Sequence, residues 1–249
     1  VNPARFKSAD AVSFVLTCAV FCTLTIAGAQ DSAPVALPKN YQTVFENSVV
    51  EVVHVHYDVR EKVPVHDHSQ FATVYVYLSD SGPVAFSHVE ARPFTSTRPP
   101  VKLGSYRVSP GRIEKHSSEN QGDMPTDFLR VELKQVPVMR FTQTFRGTAP
   151  ANLDRNSDVT EFSNSDVATE RMVCAAGAPC AVKASPSPSV LIAFSPAQAG
   201  QDHLKLGSIH WIPAGQSEPL QADSHTAAHV LRILMPSSTG AEGRGAATH

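Results

Sequence analysis

His66 and His68 flank one residue in the run Val63-Pro64-Val65-His66-Asp67-His68, and a third histidine, His116, lies further along the chain. On an extended strand, residues i and i+2 project to the same side. The two imidazoles can therefore reach one point, and a neighbouring strand bearing His116 would complete a facial set of nitrogen ligands. Such a set suits a divalent Fe, Mn, Ni or Zn ion and leaves coordination positions open for a small molecule. His54 and His56 repeat the same spacing one strand earlier. With Gln70 and Thr73 they are candidates for an outer shell, the alternative being a half-exposed strand face.

Other residues offer less. His88, His210, His225 and His229 lack spacing partners and read as surface or edge residues. Arg130 and Arg232 stand at equivalent places in an internal repeat and read as a shared structural ion pair. Counting by twos from His68 puts Gln70, Ala72, Val74 and Val76 on the histidine face, which predicts a pocket lined by small and aliphatic groups. No Ser/His/Asp arrangement, phosphate loop or paired carboxylate stands out.

The elements that must position the histidines are short and strand-like. Val49 to Tyr57, Phe71 to Leu78, Val84 to Val89, Val101 to Val108 and Phe128 to Val136 are rich in β-branched and aromatic residues. Turn residues and a Pro/Thr-rich loop, residues 92–100, separate them. Strand signals resume at Val173, Val190 to Phe194, Leu204 to Ile212 and Val230 to Met235. No helical period is sustained between Tyr41 and Val136, so the pattern is all-β. The halves also repeat. Gly104-Ser105 and Pro110 recur as Gly207-Ser208 and Pro213 at an offset of 103 residues, and Phe128-Leu129-Arg130-Val131 as Val230-Leu231-Arg232-Ile233 at 102. Phe45-Glu46-Asn47 matches Phe162-Ser163-Asn164 at 117. Their shared order argues for two copies of one β unit.

At these residues the chain resembles the cupin superfamily of small double-stranded β-helix barrels. His66-Asp67-His68 and Gly82 match the first cupin motif. Gly104, Pro110, Gly111, His116 and Asn120 match the second, with two extra residues between glycine and histidine. The likeness covers residues 42–136 well and 159–235 in outline. It implies two tandem jelly-roll barrels: a cupin-like barrel over 41–147, a linker over 148–158, and a degenerate second barrel over 159–235. The glutamate usual in the first motif is missing, since Gln70, Phe71, Ala72 and Thr73 occupy its place. Three neutral histidines would leave a bound ion with a charge of about +2, which favours an anionic or oxygen-chelating ligand. By the repeat, His66 and His68 correspond to Lys183 and Ser185, and His116 to Pro219 or Glu218, so the second barrel holds no metal set.

Residues 1–29 read as a secretory signal: Arg5 and Lys7, an apolar run from Ala11 to Ile26, then Ala27-Gly28-Ala29 as a small-residue cleavage site. The run is short for a membrane anchor, so no stable span is expected after cleavage. The initial Val fits an alternative bacterial start codon or an incomplete fragment. Residues 30–40 read as a flexible leader and 236–249 as a disordered tail. Cleavage would remove Cys18 and Cys22, leaving Cys174 and Cys180 to close a disulfide in a periplasmic or extracellular compartment. The chain has 249 residues and a net charge of −2 without basic runs, so nucleic acid is not an expected partner. The expected function is that of a secreted metal-binding protein, either an oxygenase or isomerase or a non-catalytic ligand-binding or dimeric scaffold protein. A homodimer through sheet association is compatible with either.

Overall fold

A computed structural model describes residues 32–136 and 144–235. The expected signal over 1–29 and the expected tail over 236–249 lie outside the described residues. The first half contributes β1 (Tyr41–Glu46), β2 (Val50–Tyr57), β3 (Lys62–His68), β4 (Ala72–Tyr77), β5 (Val84–His88), β6 (Phe94–Arg98), β7 (Tyr106–Ser109), β8 (Glu114–Asn120), β9 (Thr126–Leu133) and β10 (Phe145–Gly147). The second contributes β11 (Ser157–Ser163), β12 (Ala168–Cys174), β13 (Pro179–Val182), β14 (Ser189–Ala193), β15 (Ala197–Ala199), β16 (Asp202–Leu204), β17 (Ile209–Ile212), β18 (Glu218–Ala222) and β19 (Ala228–Leu234). No helix among the described residues is long and apolar enough to cross a membrane.

Each half sets a larger sheet against a four-stranded one, and the strand order repeats. The order β1-β2-β9-β4-β7-β10 matches β11-β12-β19-β14-β17, and β3-β8-β5-β6 matches β13-β18-β15-β16. Local chemistry repeats with it. The Asn47 side chain accepts from the backbone N–H groups of Val49 and Val50, and Asn164 does the same for Asp166 and Val167. Each turn follows a register shift, between Thr43 and Phe45 in β1 and between Thr160 and Phe162 in β11.

The central strands of the large sheets are buried on both faces. In β4, Val74 and Val76 join a core that also contains Val190, Ile192, Leu231 and Ile233 of the second half, so the two large sheets pack outer face to outer face. Tyr75 and Tyr77 point the other way, into the first barrel. Alternation in β4 therefore separates two buried environments rather than core from solvent.

Three expectations need correction. Residues 32–40 are not a loose leader: Ala33–Ala36 forms one helical turn, Ala33 is buried against the first barrel's core, and Ser32 bridges Asp67. The Pro/Thr-rich stretch contains β6, whose pairing with β5 satisfies its backbone despite weak apolar alternation. The run from Val101 to Val108 is broken by a turn at Gly104, and only its last part forms β7.

That turn and its repeat sit where the halves meet. Gly104 and Gly207 have φ of 81° and 80°, in the left-handed region that glycine adopts without penalty. A Cβ on Gly104 would lie 3.0 Å from the His229 ring, and one on Gly207 would lie 3.0 Å from Leu78 of the opposite half. The Gly104 carbonyl accepts from Arg171 Nη1 at 2.9 Å, and the same nitrogen lies 2.8 Å from His229 Nε2. His229 is thus a buried joint between the halves and not a surface residue. Burial and the adjacent Arg171 charge push its pKa down to about 3.

Two outcomes are expected. Gly104→Ala should cost about 2 kcal/mol or more in urea unfolding, because backbone strain and the His229 contact act together. Below about pH 6.5 the unfolded chain protonates His229 while the folded protein does not, so stability should fall with acidification until about pH 3. His229→Gln, measured by denaturation across pH 4–6, should flatten that slope by about 1.4 kcal/mol per pH unit.

Candidate metal centre and its cavity

The three histidines come from two paired strands. A register shift in β3 lies between Val63 and His66. Beyond it, His66 stands directly opposite His116 of β8, and His68 opposite Glu114. Ligand atoms of His66, His68 and His116 all lie within 4.8 Å of one another. The His66 Nδ1–H donates to the Pro64 carbonyl at 2.7 Å, which leaves Nε2 with its lone pair facing the other rings. Tyr41 Oη lies 2.7 Å from that nitrogen, and His68 Nε2 lies 3.0 Å from it.

This donor set fits a divalent cation. Burial pushes all three pKa values down, that of His116 to about 3, and the nearby Arg130 charge acts in the same direction. The rings are therefore neutral donors at neutral pH. A separation of 3.0 Å between the His66 and His68 nitrogens matches two adjacent ligands each about 2.1 Å from one ion. The buried Nδ1 of His116 has no hydrogen-bond partner among the described residues.

Two of the triad, His68 and His116, line a partly open cavity of about 350 Å³ in the first barrel. Tyr57, Tyr75, Tyr77, Phe128, Arg107 and Arg130 line it from the large sheet, and Phe86, His88, Arg98 and Glu114 from the smaller one. The expected aliphatic lining is overturned. Residues 69–71 carry the chain from one sheet to the other, so a parity count from His68 does not survive into β4. It is Tyr75 and Tyr77, not Val74 and Val76, that face the site.

The proposed outer shell is also different. His54 and His56 are on the outer face of β2 and share the Asp127 carboxylate. Gln70 is exposed in the crossover. Thr73 points inward, but its hydroxyl donates to the Phe71 carbonyl and not to a histidine. The neighbours that do surround the triad are Tyr41, Glu114, Arg130 and His88. His88, read as a surface residue, is buried, stacks on Phe94 at 4.1 Å, and has its ring 5.1 Å from that of His116. Its position opposite His116 in the β5–β8 pairing becomes visible only once the strands are paired.

Arg130 is the main fixed charge near the centre. Its Nε donates to Glu132 at 3.0 Å, Nη1 donates to Tyr75 Oη at 3.3 Å, and Glu114 lies 3.9 Å away. Ser69 Oγ also donates to Glu132. Burial works against the Arg130 charge, but Tyr75, Glu132 and Glu114 outweigh it and hold its pKa above the usual value. Arg232, its counterpart in the repeat, bonds Ser189 and Glu170 inside the second barrel.

Among the described residues the second barrel has no comparable histidine set. Apart from the Arg232 cluster its interior is apolar, with Val182, Leu191, Ile212 and Leu220 among the side chains there. Counted from the start of the β5 and β15 pairings, Glu218 takes the place of His116, and its partner across the sheet is Val182. The register shift in β3 has no counterpart in β13, so Val182 rather than Lys183 stands where His66 does. Cys174 and Cys180 form a disulfide, with Cα atoms 5.9 Å apart.

Arg130→Met should cost about 3–5 kcal/mol in chemical denaturation, because Glu132 would be left buried without its counter-charge. Arg130→Met combined with Glu132→Leu should recover part of that loss.

No protein-family model matches the chain, and no curated protein does either. Solved structures do match. A variant of oxalate decarboxylase from Bacillus subtilis superposes with a TM-score of 0.55 at 10% identity, over 78% of this chain and 72% of that one. AerE from Microcystis aeruginosa gives 0.53 at 11%, over 80% and 98%. A variant of salicylate 1,2-dioxygenase from Pseudoaminobacter salicylatoxidans in complex with gentisate gives 0.51 at 12%, over 77% and 71%. At such identities the likeness speaks to fold alone. With the repeated strand order and the histidine triad, it identifies the chain as having the cupin fold, built as two tandem β-barrels with the candidate metal centre in the first.

Proposed function

We propose that the chain binds one divalent metal ion through His66, His68 and His116 and presents it to a small molecule that chelates through oxygen, as an oxygenase or isomerase. The observation that carries this reading is the triad itself: three neutral, converging imidazoles, of which His68 and His116 line the wall of a partly open cavity. The gentisate complex of a similarly folded dioxygenase supports a small organic ligand in such a barrel.

A bound divalent ion would supply Lewis acidity and, if redox-active, dioxygen chemistry. The chain's own residues do the rest. Pro64 fixes the His66 tautomer so that the Nε2 lone pair would hold the ion, and the Tyr41 hydroxyl, 2.7 Å from that nitrogen, would then turn its proton to Tyr57 Oη or to the bound ligand. Tyr41 Oη lies 2.5 Å from Tyr57 Oη, so the two phenols form a short hydrogen-bonded pair beside the triad. Tyr75, Tyr77 and Phe128 exclude water, and Arg130 supplies a fixed positive charge toward an anionic ligand. An oxidising compartment outside the cytoplasm is part of the proposal, supported by the Cys174–Cys180 disulfide and by the signal-like composition of residues 1–29.

Metal analysis of protein purified without chelators should find about one divalent ion per chain in the wild type and at least tenfold less in His66→Ala and His116→Ala. Equal metal in wild type and variants would sink the reading. Metal binding without oxygen uptake or product across keto, diketo and sugar acids would leave a non-catalytic binding protein in its place.

A further inference from the structure

Among the described residues, five arginines line the cavity, Arg98, Arg107, Arg112, Arg130 and Arg146, against a single carboxylate, Glu114. They divide sharply. Arg112 lies 2.6 Å from Glu114, and Arg130 lies 3.0 Å from Glu132. Among the described residues, Arg98, Arg107 and Arg146 form no ion pair. Arg98 is buried and donates only to neutral oxygens, those of Pro99, Ser81, Gly82 and Thr126. The Arg107 guanidinium lies over the Tyr75 ring at 4.2 Å, and its Nε is buried without a hydrogen-bond partner. Arg146 is directly opposite Arg107 in the β7–β10 pairing.

Like charges placed directly across a strand pair oppose folding, and a buried cation such as Arg98 costs several kcal/mol without a counter-charge, whereas Arg107 is half-buried and Arg146 is exposed at the rim. Here the unpaired cations share one place. They come from β6, β7 and β10, which form the edges of the two sheets away from β3. Burial, together with Arg107 and Arg146, lowers the Arg98 pKa, as expected when the three charges feel one another. Between this edge and the histidines lie the flat faces of Tyr75, Tyr77, Phe86 and Phe128.

We propose that Arg98, Arg107 and Arg146 form a carboxylate-binding site, so that the cavity takes a flat organic acid whose anionic group is held at the β6/β7/β10 edge. Its apolar body lies among the aromatic side chains, and an oxygen function at its other end is directed toward the triad. That last element rests on the metal reading of the site; the arginine anchor does not. Guanidinium groups suit the task because their planar donors pair with a carboxylate through two parallel hydrogen bonds.

The test is calorimetric titration of the metal-free full chain with benzene-1,3-dicarboxylate, and with its uncharged diamide as control. The diacid should bind and the diamide should not. Arg107→Gln and Arg146→Gln should each weaken diacid binding at least tenfold, while His66→Ala leaves it within about twofold. Thermal unfolding without ligand checks that the variants fold, and loss of a repelling charge should leave their midpoints unchanged or raised. The inference is overturned if wild type does not bind the diacid, if the diamide binds as well, or if the arginine variants retain full affinity. Binding lost only in His66→Ala would remove the arginine site and leave the metal reading intact. Diacid binding by a protein that takes up no metal would do the reverse.

Discussion

The fold depends on burying both faces of the central strands of its two large sheets. An isolated barrel must find its stability in its own interior, and a cavity full of charges would weaken it. Here the outer faces of the large sheets meet in an apolar seam that joins Val50, Val74, Val76 and Val131 to Val190, Ile192, Leu231 and Ile233. Each such side chain contributes about 1.5–3 kcal/mol on burial, against several kcal/mol for a buried ion. The seam therefore offsets an interior in which Arg98, Arg130, His66 and His116 are all removed from water.

The same topology is used in two ways. In the second barrel the inward positions are mostly apolar, with Arg232 paired to Glu170 and Ser189, so it acts as the support. In the first they carry histidine, tyrosine, arginine and glutamate around an open cavity. The charges near the triad are arranged in order. Glu114 and Glu132 balance Arg130 and Arg112 close to the histidines, while the three arginines at the opposite edge are left for a ligand. A neutral ligand set does not stand alone in such a barrel, because Arg130 and Glu114 set the field around it.

Much of the architecture was legible in the chain. The repeated Gly-Ser pairs mark equivalent left-handed turns, and the repeated asparagines mark equivalent side-chain turns, because both depend on local backbone chemistry. The His-x-His spacing and His116 were legible for the same reason, since i and i+2 share a strand face. β8 itself escaped notice: its inward residues are His116, Ser118 and Asn120, which give no hydrophobic alternation. His88, Tyr41 and the unpaired arginines were hidden too, because nothing in their local sequence distinguishes them from surface residues.

The amino-acid sequence by itself determined the all-β character, the two-fold repeat and the three histidines, all of which follow from short-range periodicity and turn chemistry. Only the tertiary structure decided what faces the metal centre. A strand's two faces are equivalent until it is known what packs on each, and the second barrel buries one face of β4 as fully as the cavity claims the other. Parity from His68 could not cross from one sheet to the next, so the aromatic and arginine lining emerged from sheet pairing across the barrel.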